Sequence, residues 1–249
     1  KNITMKKAVL VTNMIAPYRI PVWNHVNQQS EFGFKIFFMK EAEFNRDWKI
    51  PIEEIKFKYE VLSGLHLPIK KLNWEIHFNL GVFLKLRKEN PDIIILDGYD
   101  SPTVWIALLY AKLYRKKIVS WIGSTSLFSS KKKGIIGLLK RMFVKRSDSF
   151  IAYGGLAKEY LLSLGAPKSK ISVGCNVGDI DFFKKKVEDF RKTQDFSEAR
   201  KKYPEIIFLF VGRLVKEKGV VEILNALKDI KEKNWGLIII GSGPSFSEI

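Results

Sequence analysis

A loop near the carboxyl end of this sequence holds the residue types that bind an anion. In FLFVGRLVKEKGVV an apolar run ends at Gly212, Arg213 follows it, and Lys218 and Gly219 precede a helical pattern. A helix start at the carboxyl end of a parallel strand presents free backbone N–H groups and the positive end of the helix dipole. Arginine and lysine add positive charge to the same loop, so the pattern predicts a diphosphate site.

A glycine loop follows the next predicted strand. The apolar run LIIIG ends at Gly241, and Ser242, Gly243 and Pro244 come after it. Such a loop on its own occurs in many α/β proteins. The joint pattern of Arg, Lys–Gly, helix, strand and GxGP is much more specific.

The elements that must position these loops alternate along the chain. We predict strands at 7–12, 34–39, 57–62, 92–98, 116–123, 148–154, 170–174, 205–212 and 236–241. We predict helices over about 17–29, 73–89, 103–114, 134–146, 156–164 and 219–233. Alternation of this kind is typical of the α/β class, with a parallel sheet between layers of helices.

The strand–helix rhythm breaks once, at 175–203, where the chain is polar and charged. We therefore predict a Rossmann-like N-terminal domain over 1–174, a linker over 175–203, and the start of a second Rossmann-like domain over 204–249. One βαβ unit cannot bury both faces of its sheet. We accordingly expect the second domain, and hence the chain, to be truncated.

The motif VGRLVKEKG, followed by LIIIGSGP, resembles the donor domain of the GT-B glycosyltransferases of family 4, the group 1 family. The segments 148–183 and 16–26 are also similar to this family. The resemblance implies that Arg213 and Lys218 bind the donor diphosphate and stabilise it as it leaves. It also implies that the donor nucleotide lies near the glycines of the two loops, which are Gly212, Gly219, Gly241 and Gly243.

The sequence departs from the family in two places. The family continues with two glutamates about eight residues apart, and nothing after the glycine loop supplies them; Glu248 comes too early. The family often has a histidine after the strand that ends near 121, where this chain has SWIGSTS. Ser124, Thr125 and Ser126 are the alternatives for lining the acceptor pocket there, and Ser124 is our candidate.

Two further acceptor-side candidates follow predicted strands at the ligand-binding edge of the first sheet. Arg19 lies after the first strand, where it either contacts a ligand or is solvated. Asp97 follows the strand DIIILDG, where it either bonds sugar hydroxyls or caps the next turn, with the cap slightly favoured. The three histidines, His25, His66 and His77, are expected to be structural.

Positive charge dominates the composition. The formal net charge is +17, from 43 Lys and Arg against 26 Asp and Glu, which indicates a polyanionic partner. The segment 131–146 has the pattern of a basic amphipathic helix that lies on an anionic membrane. The alternative is a helix that packs on the core with a solvated basic face. The predicted membrane contacts are Lys131, Lys132, Lys133, Lys140 and Arg141.

The resemblance and these residues together predict a retaining glycosyltransferase. It transfers a sugar from a nucleotide diphosphate sugar to a saccharide or lipid-linked acceptor, in cell-surface polysaccharide or glycolipid synthesis. We expect no cofactor and no metal, because Arg213 and Lys218 supply the charge. We expect a cytoplasmic protein, peripheral on the inner face of the membrane. The alternatives are a non-catalytic remnant and a basic protein that binds nucleic acid or another anionic surface, although no nucleic-acid-binding signature is present.

Overall fold

The computed structural model describes residues 5–29, 31–46, 48–70, 74–127, 134–174, 176–231 and 234–249. The chain divides into two compact units, Lys1–Asp179 and Ile180–Ile249, which we call unit 1 and unit 2. The division falls inside the predicted linker 175–203. That segment holds two helices, α6 (Ile180–Arg191) and α7 (Gln194–Lys201), where we had predicted none. Cys175, Lys131, Lys132 and Lys133 lie outside the described residues.

Unit 1 is built on a seven-stranded sheet in which every neighbouring pair of strands is parallel. Its strands are β1 (Lys7–Thr12), β2 (Gly33–Phe38), β3 (Lys58–Val61), β6 (Ile93–Asp97), β7 (Lys117–Ile122), β8 (Ser149–Ala152) and β9 (Ile171–Val173). Their order is β3-β2-β1-β6-β7-β8-β9. The chain therefore adds β2 and β3 on one side of β1, and then β6, β7, β8 and β9 on the other side.

Helices cover both faces of this sheet, which confirms the predicted α/β class. They are α1 (Ile20–Gln29), α2 (Val82–Glu89), α3 (Pro102–Leu113), α4 (Gly134–Arg146) and α5 (Gly155–Ser163). Alternation along β1 separates the two cores: Val9 and Val11 pack with residues of α2 to α5, while Ala8 and Leu10 pack with residues of α1. Period-two alternation of this kind sends successive side chains to opposite faces of a strand.

One predicted helix is wrong in its first part. Residues Trp74–Phe78 form a strand, β5, that pairs antiparallel with β4 (Leu65–Ile69), and the helix begins only at Val82. Alternate residues of β5, Glu75 and His77, are buried, which is the period of a strand and not of a helix. The pairing partner lies several residues away in sequence, so the local pattern alone did not reveal it.

Asn79 stabilises the end of this hairpin. Its side-chain Nδ2 donates to the carbonyl oxygens of Met39 and Leu62 at 2.9 and 3.1 Å. Its backbone N–H donates to Thr103 Oγ1 at 2.9 Å. The residue is fully buried, and a side chain at Gly64 would overlap with it. Asn79 therefore joins the ends of β2 and β3 to the first turn of α3.

Unit 2 contains a pair of parallel strands, β10 (Ile206–Val211) and β11 (Trp235–Ile240), and the helix α8 (Val220–Leu227). The helix is shorter than the predicted 219–233, since beyond Leu227 only Ile230 continues its apolar spacing. Several apolar side chains of the strands remain exposed: Ile206, Leu209, Val211 and Ile240. This exposure is what the burial argument expects of a single βαβ unit.

Across the part of the chain that the structure describes, no helix has the length and apolar character needed to cross a bilayer. Helix α3 buries six of its residues in unit 1.

We predict that Asn79→Ala destabilises unit 1 by about 2–4 kcal/mol, because it leaves buried carbonyl groups without donors. Urea unfolding followed by tryptophan fluorescence measures the effect. Gln28→Ala, at an exposed position of α1, is the control and should change the free energy of unfolding by less than about 0.5 kcal/mol. An Asn79→Ala protein as stable as this control would contradict the assignment.

Candidate functional site

The carboxyl ends of β1 and β6 lie side by side at the centre of the unit 1 sheet. These two strands are hydrogen-bonded neighbours, and the chain leaves them toward opposite edges of the sheet. In open parallel sheets, a crevice for ligands forms at such a reversal of strand order. Thr12 ends β1 and Asp97 ends β6, and Thr12 Oγ1 donates to Asp97 Oδ2 at 2.7 Å.

Arg19 and Asp97, two of the predicted acceptor-side residues, form an ion pair in this crevice. Arg19 Nη1 lies 3.0 Å from Asp97 Oδ2. Arg19 Nη2 donates to the hydroxyl of Tyr153 at 2.8 Å, and that hydroxyl donates to Asp97 Oδ1 at 3.2 Å. We call Thr12, Arg19, Asp97 and Tyr153 the switch-point cluster.

The ion pair is largely buried, with 12% of the Arg19 side chain and 15% of the Asp97 side chain exposed. Burial on its own lowers the pKa of Arg19, but Asp97, Tyr153 and Tyr18 together outweigh burial and raise that pKa above its usual value. Burial and Asp97 both raise the pKa of the Tyr153 hydroxyl. Arg19 is therefore a charged donor, and Tyr153 a neutral donor, at physiological pH.

Two of the alternatives raised for these residues are wrong. Arg19 is not a solvated loop residue, because its guanidinium is bound by Asp97 and Tyr153. Asp97 does not cap the helix that follows, since Ser101 is the N-cap of α3 and its side chain accepts from Thr103 N.

Aromatic rings and unused polar atoms surround the cluster. The Arg19 guanidinium carbon lies 4.9 Å from the ring centroid of Trp121, whose ring is 5.1 Å from that of Tyr153. Three polar atoms in this region are buried and have no hydrogen-bond partner among the described residues: Arg19 Nε, Trp121 Nε1 and Thr125 Oγ1. Buried polar atoms are normally paired, so these three leave hydrogen-bonding capacity for water or a ligand.

Ser124 lies in the loop after β7, at the same edge of the sheet, and is half-buried. The prediction had missed Thr12, Trp121 and Tyr153. Their signal was available, since each lies at or next to the carboxyl end of a predicted strand. Polar and aromatic residues at the carboxyl ends of parallel strands are the pattern that identifies them.

Lys140 does not belong to the predicted basic surface. Its side chain is buried, and its Nζ donates to the Tyr160 hydroxyl at 3.1 Å and lies 5.4 Å from the ring centroid of Tyr99. The aromatic rings, the hydroxyl and the nearby carboxylate of Asp100 compensate the charge inside unit 1. Arg141, the next residue, is exposed. The predicted contact of Lys140 with a membrane is therefore wrong.

The predicted donor loops of unit 2 lie against each other. Since β10 and β11 are parallel and in register from Ile206 and Trp235 to Val211 and Ile240, their carboxyl ends share one edge. Leu214 N donates to Ser242 O at 2.8 Å, and Ser245 N donates to Leu214 O at 2.9 Å. The loop after β10 and the glycine loop after β11 thus form one backbone-lined surface.

Glycine is required at three of the four predicted positions. A Cβ at Gly241 would overlap with the carbonyl oxygen of Gly212, and a Cβ at Gly243 would overlap with that of Leu214. Gly219 has φ of 70°, in the left-handed region, and is the N-cap of α8, with no side-chain cap. These glycines let the two loops approach each other and leave the helix start open.

Arg213 and Lys218 flank this surface. Arg213 is half-buried in the loop after β10, and Lys218 is exposed in the last position of the turn Lys216–Lys218, next to Gly219. Within the described residues, neither side chain makes a hydrogen bond or an ion pair. The arrangement puts two cationic side chains beside an uncapped helix N-terminus, which is chemically suited to binding an anion.

We predict that a double-mutant cycle of Arg19→Met and Asp97→Asn gives a coupling energy of at least about 2 kcal/mol, because removing either partner leaves a buried charge unpaired. Urea unfolding of the two single variants and the double variant measures it. The exposed pair Lys192–Asp189, at 3.7 Å, is the control and should give less than about 1 kcal/mol. Equal coupling in the two pairs would contradict the importance assigned to burial.

Known proteins are similar to this chain in sequence and in fold. The model of the family Glycosyl transferases group 1 matches residues 191–249. A Klebsiella pneumoniae protein, "Uncharacterized 41.2 kDa protein in cps region", is 30% identical over 167 residues, which cover 64% of this chain and 46% of that protein.

Among solved structures, Anabaena HepE in complex with UDP and glucose aligns over 98% of this chain and 63% of its own, with a TM-score of 0.62 and 16% identity. UDP-N-acetylglucosamine 2-epimerase from Rickettsia bellii aligns over 98% of this chain and 64% of its own, with a TM-score of 0.59 and 18% identity. The chain thus spans less than two thirds of the length of these relatives. Its fold is of the GT-B class, and residues 191–249 are similar to the group 1 glycosyl transferases.

Proposed function

We propose that this chain is part of a glycosyltransferase that moves a sugar from a nucleotide diphosphate sugar to a saccharide or lipid-linked acceptor. The observation that carries the proposal is the donor surface of unit 2. There, Arg213 and Lys218 flank the open start of α8, within the segment that matches the family. The relative from a cps region supports a role in cell-surface polysaccharide synthesis. HepE was solved in complex with UDP, so UDP is the first nucleotide to test.

The proposed chemistry at the donor surface is electrostatic. When the bond between sugar and diphosphate breaks, negative charge grows on the leaving oxygen. Cations that are already fixed beside that oxygen stabilise the transition state more than the ground state. Arg213 contributes a planar fork of donors and Lys218 a compact charge, so this step needs no metal ion in the proposal.

The switch-point cluster of unit 1 is the proposed acceptor side. Both oxygens of Asp97 already accept hydrogen bonds, from Thr12, Arg19 and Tyr153. We therefore assign Asp97 the role of holding the Arg19 guanidinium, and not that of a general base. In the proposed retaining mechanism, the departing phosphate takes the proton of the attacking hydroxyl. The unpaired Arg19 Nε and Trp121 Nε1 are the groups that bind and orient the acceptor.

We predict that Arg213→Ala and Lys218→Ala each weaken UDP binding by about tenfold, since each removes a charge-assisted contact to the diphosphate. Calorimetric titration with UDP, and with uridine as the ligand that lacks phosphate, measures the change. Lys216→Ala is the matched control, because Lys216 is an exposed lysine in the same turn.

In turnover measurements, both donor variants should lower kcat more than they weaken donor binding. Lys218→Arg should restore activity only in part, because a planar fork differs in shape from an ammonium group. Wild-type UDP affinity and wild-type turnover in both alanine variants would remove the donor assignment.

We further propose that α4 binds the inner face of an anionic membrane. Four apolar side chains in its first half are exposed: Ile135, Ile136, Leu138 and Leu139. Exposed basic residues Arg141, Lys145 and Arg146 follow them, and residues 134–146 contain no Asp or Glu. An apolar and basic surface of this kind fits the interface of an anionic bilayer. In this proposal, the excess of basic residues serves binding to an anionic membrane and to the donor diphosphate. Nucleic acid is not a proposed partner.

We predict that Ile135→Asn/Leu138→Asn reduces sedimentation with phosphatidylglycerol vesicles at least about fivefold, because each change removes apolar area from the bilayer. Arg141→Gln/Lys145→Gln should reduce binding to these vesicles and leave the weaker binding to neutral vesicles unchanged. Leu84→Asn, at an exposed position of α2, is the control. Equal binding of all variants to both vesicle types would rule out α4 as the contact.

A further inference from the structure

A shallow cavity of about 420 Å³, broadly open to solvent, lies beside the segment that follows β2. Its walls are Lys40, Glu41, Ala42, Trp48 and Ile50. Because this segment continues from the carboxyl end of β2, the cavity lies at the ligand-binding edge of the parallel sheet. Its volume is in the range of sites that hold small molecules. The function proposed for the switch-point cluster does not use it.

Trp48 is the aromatic wall of the cavity, and two neighbours hold it in place. The Tyr18 ring meets the indole nearly edge-on, with ring centroids 6.1 Å apart and an interplanar angle of 75°. The Arg46 guanidinium carbon lies 5.4 Å from the ring centroid. The indole Nε1 has no hydrogen-bond partner among the described residues, so the fold places the ring without using its polar atom.

A row of rings and guanidinium groups connects the cavity with the switch-point cluster. From Trp48 the row continues through Tyr18, which is 42% exposed, to Arg19, whose guanidinium carbon is 5.9 Å from the Tyr18 ring centroid. Arg19 lies in turn over Trp121, at 4.9 Å. Cavity and cluster are therefore adjacent parts of one aromatic-lined surface, with Tyr18 between them.

The charges in the cavity disfavour a phosphate group. Lys40 Nζ is paired with Glu75 Oε1 at 2.7 Å, and the Glu75 side chain is only 1% exposed. Glu41 adds an exposed carboxylate to the wall. An aromatic and aliphatic wall with polar groups at its edge fits a neutral sugar, which has apolar C–H faces and a rim of hydroxyls.

We propose that this cavity is a second sugar subsite for the acceptor, with Trp48 as its wall. The acceptor would then carry at least two sugar units, one at the switch-point cluster and the next in the cavity. This inference rests on the proposed function, which makes the cluster the acceptor side. Binding energy from a unit remote from the reacting hydroxyl is available to orient the acceptor.

Saturation-transfer difference NMR with sugar probes tests the proposal. The probes are the methyl glycosides of glucose, galactose, mannose and N-acetylglucosamine, and the disaccharides cellobiose, lactose and chitobiose. We expect at least one disaccharide to bind wild-type protein more tightly than any monoglycoside. Trp48→Ala should weaken disaccharide binding about tenfold and leave monoglycoside binding unchanged, since it removes only the second subsite.

Further variants separate loss of the subsite from loss of the fold. Ala42→Phe fills the cavity without changing Trp48, and should give the same loss as Trp48→Ala. Trp48→Phe keeps an aromatic wall and should retain most of the disaccharide binding. Trp74→Ala is the control, because Trp74 lies on the hairpin strand β5 and does not line the cavity. Thermal melts of each variant verify that unit 1 is folded.

Two results would overturn the proposal: the same disaccharide affinity in wild type, Trp48→Ala and Ala42→Phe, or no binding of any probe to the wild type. Failure of the proposed function gives a different result. In that case UDP would not bind at Arg213 and Lys218, while loss of disaccharide binding in the cavity variants would persist.

Discussion

The organisation of unit 1 depends on a carboxylate buried at the point where the strand order reverses. Asp97 ends β6 beside the end of β1, and a charge there is costly unless a cation and hydrogen bonds compensate it. Arg19 supplies the cation from the turn that leads into α1. Thr12 contributes from β1, and Tyr153 contributes from the residue after β8. One charge therefore connects three distant parts of the sequence, residues 12–19, Asp97 and Tyr153. Any ligand that enters the crevice meets donors that are already oriented.

The same principle operates where Asn79 joins the β4–β5 hairpin to the sheet. Its amide donates to carbonyl groups just after the ends of β2 and β3. The hairpin in turn buries Glu75, which neutralises Lys40 at the wall of the cavity. Polar groups buried for structural reasons thus determine the charge of the surface offered to a ligand.

Helix α4 shows how burial separates lysines that look equivalent. Lys140 lies within a run of basic residues, yet its Nζ is taken into the core by Tyr160 and Tyr99. Phe143 and Val144, three and four residues further on, are buried on the same face of the helix, whereas Ile135 and Leu138 are exposed. The exposed surface of α4 is therefore more apolar than the sequence suggests.

The sequence by itself determined the α/β class, most of the strands of the parallel sheet, and the loops that carry Arg213 and Lys218. These features are local, because a strand buried on both faces is a continuous apolar run and a helix start has its own glycine. It also placed Arg19, Asp97 and Ser124 at strand ends, but it left the partners of Arg19 and Asp97 open. Only the tertiary structure decided that Arg19 pairs with Asp97, that Tyr153 and Trp121 complete the cluster, that Trp74–Phe78 is a strand, and that Lys140 is buried. Each of these depends on which segments the fold brings together, and the spacing of neighbouring residues carries no information about that.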